Sequence, residues 1–329
     1  MKAWVYRTYG PPENLSFEDI ERPPPASNEI AIRVRACSLN AADWHIMLAD
    51  PFLARIAVGL RKPRNPMIIG SDVAGIVESV GKDVVGFAPG ESVYAETMMI
   101  GGCAEVVAVP KGRVGHMPSG SSFEKAAAVP MAGVTALAGV RAGGQLSPGQ
   151  TVLVNGASGG VGTFAVQIAH ALGGEVTAVC RTEAVEMVRS LGVKEVIDYT
   201  AEEAVDAGRT YDLVISIGGT HSLRALRRTV TDRGTLAAVG GSQRGGLLGP
   251  GSVAVRGAML SPFTSQRLVK VEGKVTTADL ATLAHMIESG DVTPVIDRIF
   301  DWSETPDAMR YLEEGHPKGK IVITVGDGT

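Results

Sequence analysis

Three glycines at fixed spacing, Gly156, Gly159 and Gly162, carry the first chemistry legible in this chain. They follow an apolar run, Val152 to Val154, that suits a strand covered on both faces. They open a segment with Val161, Phe164, Ala165, Ile168, Ala169 and Leu172 at helical spacing, stopped by Gly173 and Gly174. A glycine turn there lets the backbone approach a phosphate, and the unpaired N–H groups of the helix start attract its charge. The pyrophosphate of a dinucleotide is therefore assigned to Gly156, Ser158, Gly159, Gly160, Val161 and Gly162. The spacing departs from the commoner G-x-G-x-x-G, and an ordinary strand–helix turn is the alternative.

The second strand of this unit, Val176 to Cys180, ends at Arg181. NAD-binding sites usually carry an acid at that point for the ribose hydroxyls. An arginine instead pairs with a 2′-phosphate as a charged fork, so the expected cofactor is NADPH. Against this, Glu183 lies two residues on, and a solvated Arg181 is the plainer alternative.

The elements that must position these residues follow from pattern. Residues 1–122 read as β-rich: Ile30 to Ala36 alternates, and Gly75–Gly81, Glu91–Ala95 and Ala104–Pro110 are short strands between Pro and Gly turns. From about Ser122 the pattern turns helical, over Lys125–Val129 and Val134–Val140, and then alternates strand with helix. The expected strands there are Thr151–Asn155, Val176–Cys180, Val196–Tyr199, Tyr211–Ser216 and Gly234–Gly240. This is the pattern of a doubly wound parallel sheet, in an α/β fold. After about Ser265 come a helix (Ala278–Glu288), a strand (Val295–Phe300), a helix (Ser303–Glu313) and a strand (Ile321–Val325) that rejoins the first domain. The expected division is thus 1–122, 123–264 and 265–329.

Composition excludes other classes. With 329 residues and a net charge of −4 the chain has no basic tract for nucleic acid, and no apolar run spans a bilayer. The start, Met1 to Arg7, lacks the apolar core of a signal peptide. Cys37, Cys103 and Cys180 are far apart, which suits a reducing cytoplasm, offers no disulfide framework, and leaves Cys37 and Cys103 as inert core or strand residues.

The chain resembles the medium-chain dehydrogenases/reductases over nearly its whole length. The resemblance rests on Met1–Val5, Gly70–Gly81, Gly101–Glu105, Ala126–Ala136, the glycine turn and Gly319–Ile323. It implies a GroES-like β-rich catalytic domain plus a Rossmann domain, with the active site in the cleft between them. Zinc-dependent members hold their metal on two cysteines and a histidine. Those positions fall at Asn40, Ser71 and near Met131, with the neighbouring acid at Asp72, and a proton-relay hydroxyl falls at Ala42. None of the three binds zinc well, so no zinc is expected. The better match is the zinc-free branch of quinone and enone or enoyl reductases.

That branch implies further residues. Asn40 and His45 stand where polar groups meet the substrate oxygen, with Asp43 orienting them or simply capping a helix. His45 is equally readable as a structural histidine, and Asn40 as a turn residue. Tyr199 matches a contact to the 2′-phosphate, Lys320 a basic position near the pyrophosphate, and Thr135 an approach to the nicotinamide. Gly240, Gly241 and Phe263 flank the nicotinamide and its ribose. Residues 49–66 read as a helical flap, with Phe52, Leu53, Ile56 and Leu60 apolar, and Arg55, Arg61, Lys62 and Arg64 as a basic rim or a solvated face. Phe52 and Met131 are assigned to the substrate pocket. Ser252–Met259 is a candidate edge strand for a homodimer. Three functions follow from the resemblance: a quinone or enone oxidoreductase, a reductase of enoyl thioesters, or a binding module without turnover.

Overall fold

The computed structural model describes the chain except Pro23, 51–54, 56–57, Lys194, 202–207, 218–222, 241–264, His316 and 327–329. It divides into two compact units: 1–134 with 275–290 and 294–329, and 135–274 with 291–293. The sequence reading places the first division at 122/123. The helix Phe123–Ala127 nevertheless packs on strands of the first unit, so a change from strand to helix pattern is not by itself a change of unit.

The first unit is built from β1 (Lys2–Tyr6), β2 (Leu15–Asp19), β3 (Glu29–Leu39), β4 (Met67–Ile68), β5 (Asp72–Val80), β6 (Ser92–Glu96), β7 (Val106–Pro110) and β8 (Val114–His116). The second contributes β9 (Thr151–Asn155), β10 (Glu175–Cys180), β11 (Glu195–Asp198), β12 (Tyr211–Ile217), β13 (Val230–Val239) and β14 (Arg267–Val271). The chain then returns to the first unit as β15 (Ile296–Asp301) and β16 (Lys320–Thr324).

In the first unit β3 is the hub. Its first half pairs with β7, its second half with β16, and β5 runs antiparallel along nearly all of it. The sequence shows this demand: Arg33 and Arg35 alternate with buried Ile32 and Val34, but Ala36, Cys37, Ser38 and Leu39 are all buried. Sheet order is β15-β16-β3-β5-β6-β8, and β2-β1-β4 forms a smaller sheet. The expected return of the tail is therefore a strand pairing, with Ile321 opposite Leu39 and Val322 opposite Ser38.

In the second unit the sheet runs β11-β10-β9-β12-β13-β14, all parallel. Strand order reverses between β10-β9 and β12, which places a ligand crevice at the carboxyl ends of those strands. Val152, Leu153 and Val154 are fully buried, as strands covered on both faces require. β14 was not expected. It is short, only Val271 is buried, and Leu268 packs on the core while partly buried, so it carries no long apolar run to read. Among the described residues no helix is long and apolar enough to cross a membrane.

Leu153 is a fully buried member of the cluster with Val179, Val214, Leu226 and Leu236. Leu153→Ala is expected to cost about 2–5 kcal/mol through lost transfer energy and a residual cavity. Urea unfolding followed by circular dichroism measures it.

Candidate functional site

The helix Ala41–Leu48 follows β3 directly, and Asn40 is its N-cap residue. Asp43, in the first turn, accepts the Asn40 backbone N–H at 2.8 Å through Oδ2. Its other oxygen accepts Gly70 N at 3.1 Å and Ser71 Oγ at 2.8 Å. Three donors are thus spent on one buried carboxylate, which fixes the turn entering the helix. Burial pushes Asp43 up to about 6, against the lowering effect of those hydrogen bonds.

The Asn40 side chain faces elsewhere. Its Nδ2 donates to Asp72 Oδ2 at 2.7 Å, and its Oδ1 accepts Lys320 Nζ at 2.5 Å. Lys320 also donates to Leu39 O at 3.1 Å and Asp72 Oδ2 at 3.4 Å. Asp72 further accepts Ser38 Oγ at 3.2 Å and the Met131 backbone N–H at 2.8 Å. The sheet makes this knot: Ser38 lies opposite Asp72 across β3 and β5, and Lys320 opens β16 on the other side of β3. Both charges are essentially out of water, with Lys320 2% and Asp72 0% exposed. Burial pushes the Asp72 carboxyl up and the Lys320 ammonium down, and each is the other's main electrostatic counterweight.

A second acid stands beside this knot. Glu96 pairs with Asp72 across β5 and β6, and burial lifts it to about 7 despite Arg113 at 3.4 Å. His45 is half-buried, 5.0 Å ring to ring from Trp44. Its Nδ1 and the Trp44 Nε1 are buried and have no hydrogen-bond partner among the described residues.

In the second unit the glycine turn runs from β9 into the helix Gly160–Ala171, with Gly159 as N-cap. Gly156 has φ +91°, and a Cβ there would meet Ile217 O at 2.3 Å; one on Gly162 would meet Gly156 O at 2.1 Å. A Cβ on Gly159 would meet nothing closer than 4.0 Å, so its missing side chain leaves open space at the helix start. This is a cradle that fits a pyrophosphate. Ser158 and Val161 lie in the same turn, half-buried.

Arg181 follows β10 and Tyr199 follows β11, and these strands pair with Cys180 opposite Asp198. The two residues expected at a 2′-phosphate therefore stand at neighbouring strand ends, where Tyr199 N donates to Cys180 O at 3.0 Å. Arg181 Nε lies 3.5 Å from Glu183, and Tyr199 is 44% exposed. Thr182 and Thr200 hydroxyls meet between them at 2.6 Å. Gly240 follows β13 with φ +72°, and a Cβ there would meet no described atom within 4 Å. Thr135 lies against Gly273, where a Cβ would come within 2.1 Å of its hydroxyl. Gly241, Phe263, Phe52, Leu53, Ile56 and the 252–259 edge lie outside the described residues.

Comparison with known proteins gives a consistent family. Residues 26–139 match the alcohol dehydrogenase GroES-like domain, and 191–323 match a family described as zinc-binding dehydrogenase. The chain is 32% identical to the mouse mitochondrial NAD(P)H oxidoreductase RTN4IP1, over 99% of this chain and 89% of the relative. It belongs to the medium-chain dehydrogenase/reductase superfamily. Its place is the quinone oxidoreductase and alkenal reductase branch. A chloroplast envelope quinone oxidoreductase homologue of Arabidopsis thaliana is 30% identical, with 98% of each chain covered. The solved quinone oxidoreductase of Coxiella burnetii superposes with a TM-score of 0.86 at 26% identity, over 99% of each chain.

Within this superfamily the metal-ligand positions hold poor zinc donors here. Asn40 and Ser71 offer an amide and a hydroxyl, and the Met131 N–H is already bonded to Asp72. An ammonium, Lys320, already supplies positive charge at Asn40. The donor set does not fit zinc. Among the described residues no cluster of three or more His, Cys, Asp or Glu is placed to hold a metal ion.

The family resemblance pointed to Asn40, Asp43, Asp72 and Lys320 separately. It did not give the ammonium a partner: its three hydrogens go to Leu39, Asn40 and Asp72 rather than outward. Ser38 and Glu96 carry little signal in the sequence: Ser38 is one polar residue in the apolar run Ala36 to Leu39, and Glu96 is the polar end of a short strand.

Two outcomes follow. Lys320→Met strands Asp72 in a dry site and is expected to destabilise by about 3–5 kcal/mol at pH 7. Asp72 then takes a proton more readily in the folded state, so the deficit shrinks as the pH falls toward 4 and grows as it rises. Asp43 has the same sign in the native chain. Its raised value means that the folded state binds the proton more tightly. Its stabilising contribution is therefore present below about pH 4, is lost as the pH rises to about 6, and amounts to about 3 kcal/mol. Urea unfolding of the native chain, Lys320→Met and Asp43→Asn from pH 4 to 8 reads both.

Proposed function

We propose that this chain is a zinc-independent, NADPH-dependent oxidoreductase that passes a hydride to a quinone or an α,β-unsaturated carbonyl. The observation that carries the reading is the knot at Asn40: the position of one metal donor in zinc-dependent relatives holds an amide, bonded to a buried ammonium and a buried carboxylate. The relatives named as NAD(P)H and quinone oxidoreductases support the reaction class. The glycine cradle supports the dinucleotide.

A bound reduced nicotinamide supplies the hydride, and the protein has little covalent chemistry to do. Its residues bind, orient and stabilise charge. Gly156 to Gly162 and the helix start receive the pyrophosphate. Arg181, with Tyr199 and the Thr182–Thr200 hydroxyls, receives the 2′-phosphate, which an acid at that strand end would repel. Asn40 has one amide hydrogen on Asp72 and keeps the second for an acceptor's oxygen. Lys320 polarises that amide from behind, and Asp72 fixes its orientation. The unpartnered His45 Nδ1 supplies a second hydrogen-bonding atom on the same helix. Asp43 is a positioning residue, since its carboxylate is committed to Asn40, Gly70 and Ser71. A homodimer joined through 252–259 and a cytoplasmic location belong to the same reading.

The deciding assay follows NADPH and NADH oxidation against a benzoquinone, a naphthoquinone, an enone and crotonyl-CoA, with metal content measured on the same sample. Turnover with NADPH and without zinc is expected. Arg181→Ala should raise KM for NADPH about 10- to 100-fold and leave NADH nearly unchanged. Asn40→Ala should lower kcat about 100-fold, as loss of one preorganised donor does. Preference for NADH, or stoichiometric zinc, would overturn the reading.

A further inference from the structure

We propose that Cys37 and Cys103 are a disulfide-forming pair: oxidation by a peroxide joins them and staples β3 to the 101–105 segment beside the Asn40 turn. Their Sγ atoms lie 2.6 Å apart with both side chains fully buried, and both are free thiols here. A disulfide of about 2.05 Å needs an approach of only about 0.5 Å. By sequence Cys37 and Cys103 are far apart and stand as inert core or strand residues. The fold brings them together across 66 residues.

Backbone hydrogen bonds hold both partners in place. Cys37 sits in β3 opposite Val73 of β5 and Ile323 of β16. Cys103 N donates to Ile69 O at 2.8 Å, and its carbonyl accepts Trp4 N at 2.9 Å. Gly70 makes the slot. A Cβ there would stand 3.2 Å from the Cys103 sulfur and 3.3 Å from the Cys37 sulfur, and its φ of +97° is a glycine conformation. The N–H of the same glycine donates to Asp43 Oδ1. The dithiol therefore backs directly onto the carboxylate that holds the Asn40 turn.

The chemistry balances without further parts. One thiolate attacks hydrogen peroxide, the O–O bond breaks, and a sulfenic acid and water form. The neighbouring sulfur displaces the sulfenic oxygen as a second water, and the S–S bond closes. Two thiols give up two electrons and two protons, and one peroxide becomes two waters. With the second sulfur already in contact, capture of the sulfenic acid outruns further oxidation. Burial also raises the Cys103 thiol well above its ordinary value, so thiolate is scarce and the reaction is slow. Full burial selects a small uncharged oxidant over a bulky disulfide. Cys180, in the other unit, has no such neighbour among the described residues to link with, and burial, which pushes its thiol up to about 11, slows its own oxidation.

The test uses the native chain. After prolonged exposure to hydrogen peroxide it is denatured, alkylated and digested without reduction. The expected result is a loss of about 2 Da, a linked Cys37–Cys103 peptide pair, and alkylation at Cys180 alone. Dithiothreitol should restore all three alkylation sites. Cys37→Ala and Cys103→Ala should each abolish the link, and Cys180→Ala should leave it intact. Three alkylatable thiols after peroxide, or sulfinic or sulfonic acid at Cys37 or Cys103 without a link, would overturn the proposal.

Discussion

A lysine ammonium removed from water must find acceptors, and in this chain it finds three at one corner of one sheet. Lys320 reaches Leu39 O, Asn40 Oδ1 and Asp72 Oδ2 only because β16 lies along the second half of β3 and β5 lies along its other edge. The strand order of the first unit is thus the condition for satisfying one buried charge. A break in either pairing would leave an ammonium or a carboxylate alone in the core, and that cost exceeds most single contacts. Asn40 gains its fixed orientation from the same arrangement, since both ends of its amide are held.

The second unit solves a different problem by omission. Its parallel sheet ends in turns where side chains would collide with backbone, at Gly156 and Gly162, and where one is simply left out, at Gly159. Backbone N–H groups at a helix start attract negative charge without any side chain. Arg181 and Tyr199 stand at the neighbouring ends of β10 and β11 because Cys180 and Asp198 are in register.

Legibility in the sequence tracks distance along the chain. The βαβ unit around the glycine turn is local, and its apolar runs and stops are visible within thirty or so residues. The return of the tail was also readable, because Ile321 to Ile323 is apolar without alternation, as a doubly covered strand must be. Pairings between distant residues were not. Lys320 and Asp72 are 248 positions apart, and nothing local marks a lysine beginning a strand as a buried cation. The two cysteines looked isolated for the same reason. Asn40 stood out only through the resemblance, since one asparagine before a helix is also an ordinary cap. β14 was missed because an edge strand with one buried residue has almost no pattern.

The interruption of the first unit by the second has a consequence for the order in which this protein can be made. During synthesis β3 and β5 emerge early and can pair, but the partner for the inner half of β3 is coded more than 280 residues later. Until β16 arrives, Ala36 to Leu39 present an open edge, and Asp72 lacks its cation. The second unit has all but three of its residues in one continuous stretch, and so it can finish first. The nascent chain therefore carries a half-closed sheet with an unneutralised acid until β16 is made. Of the described strands β16 is made after all the others, and it is the one that brings Asp72 its cation.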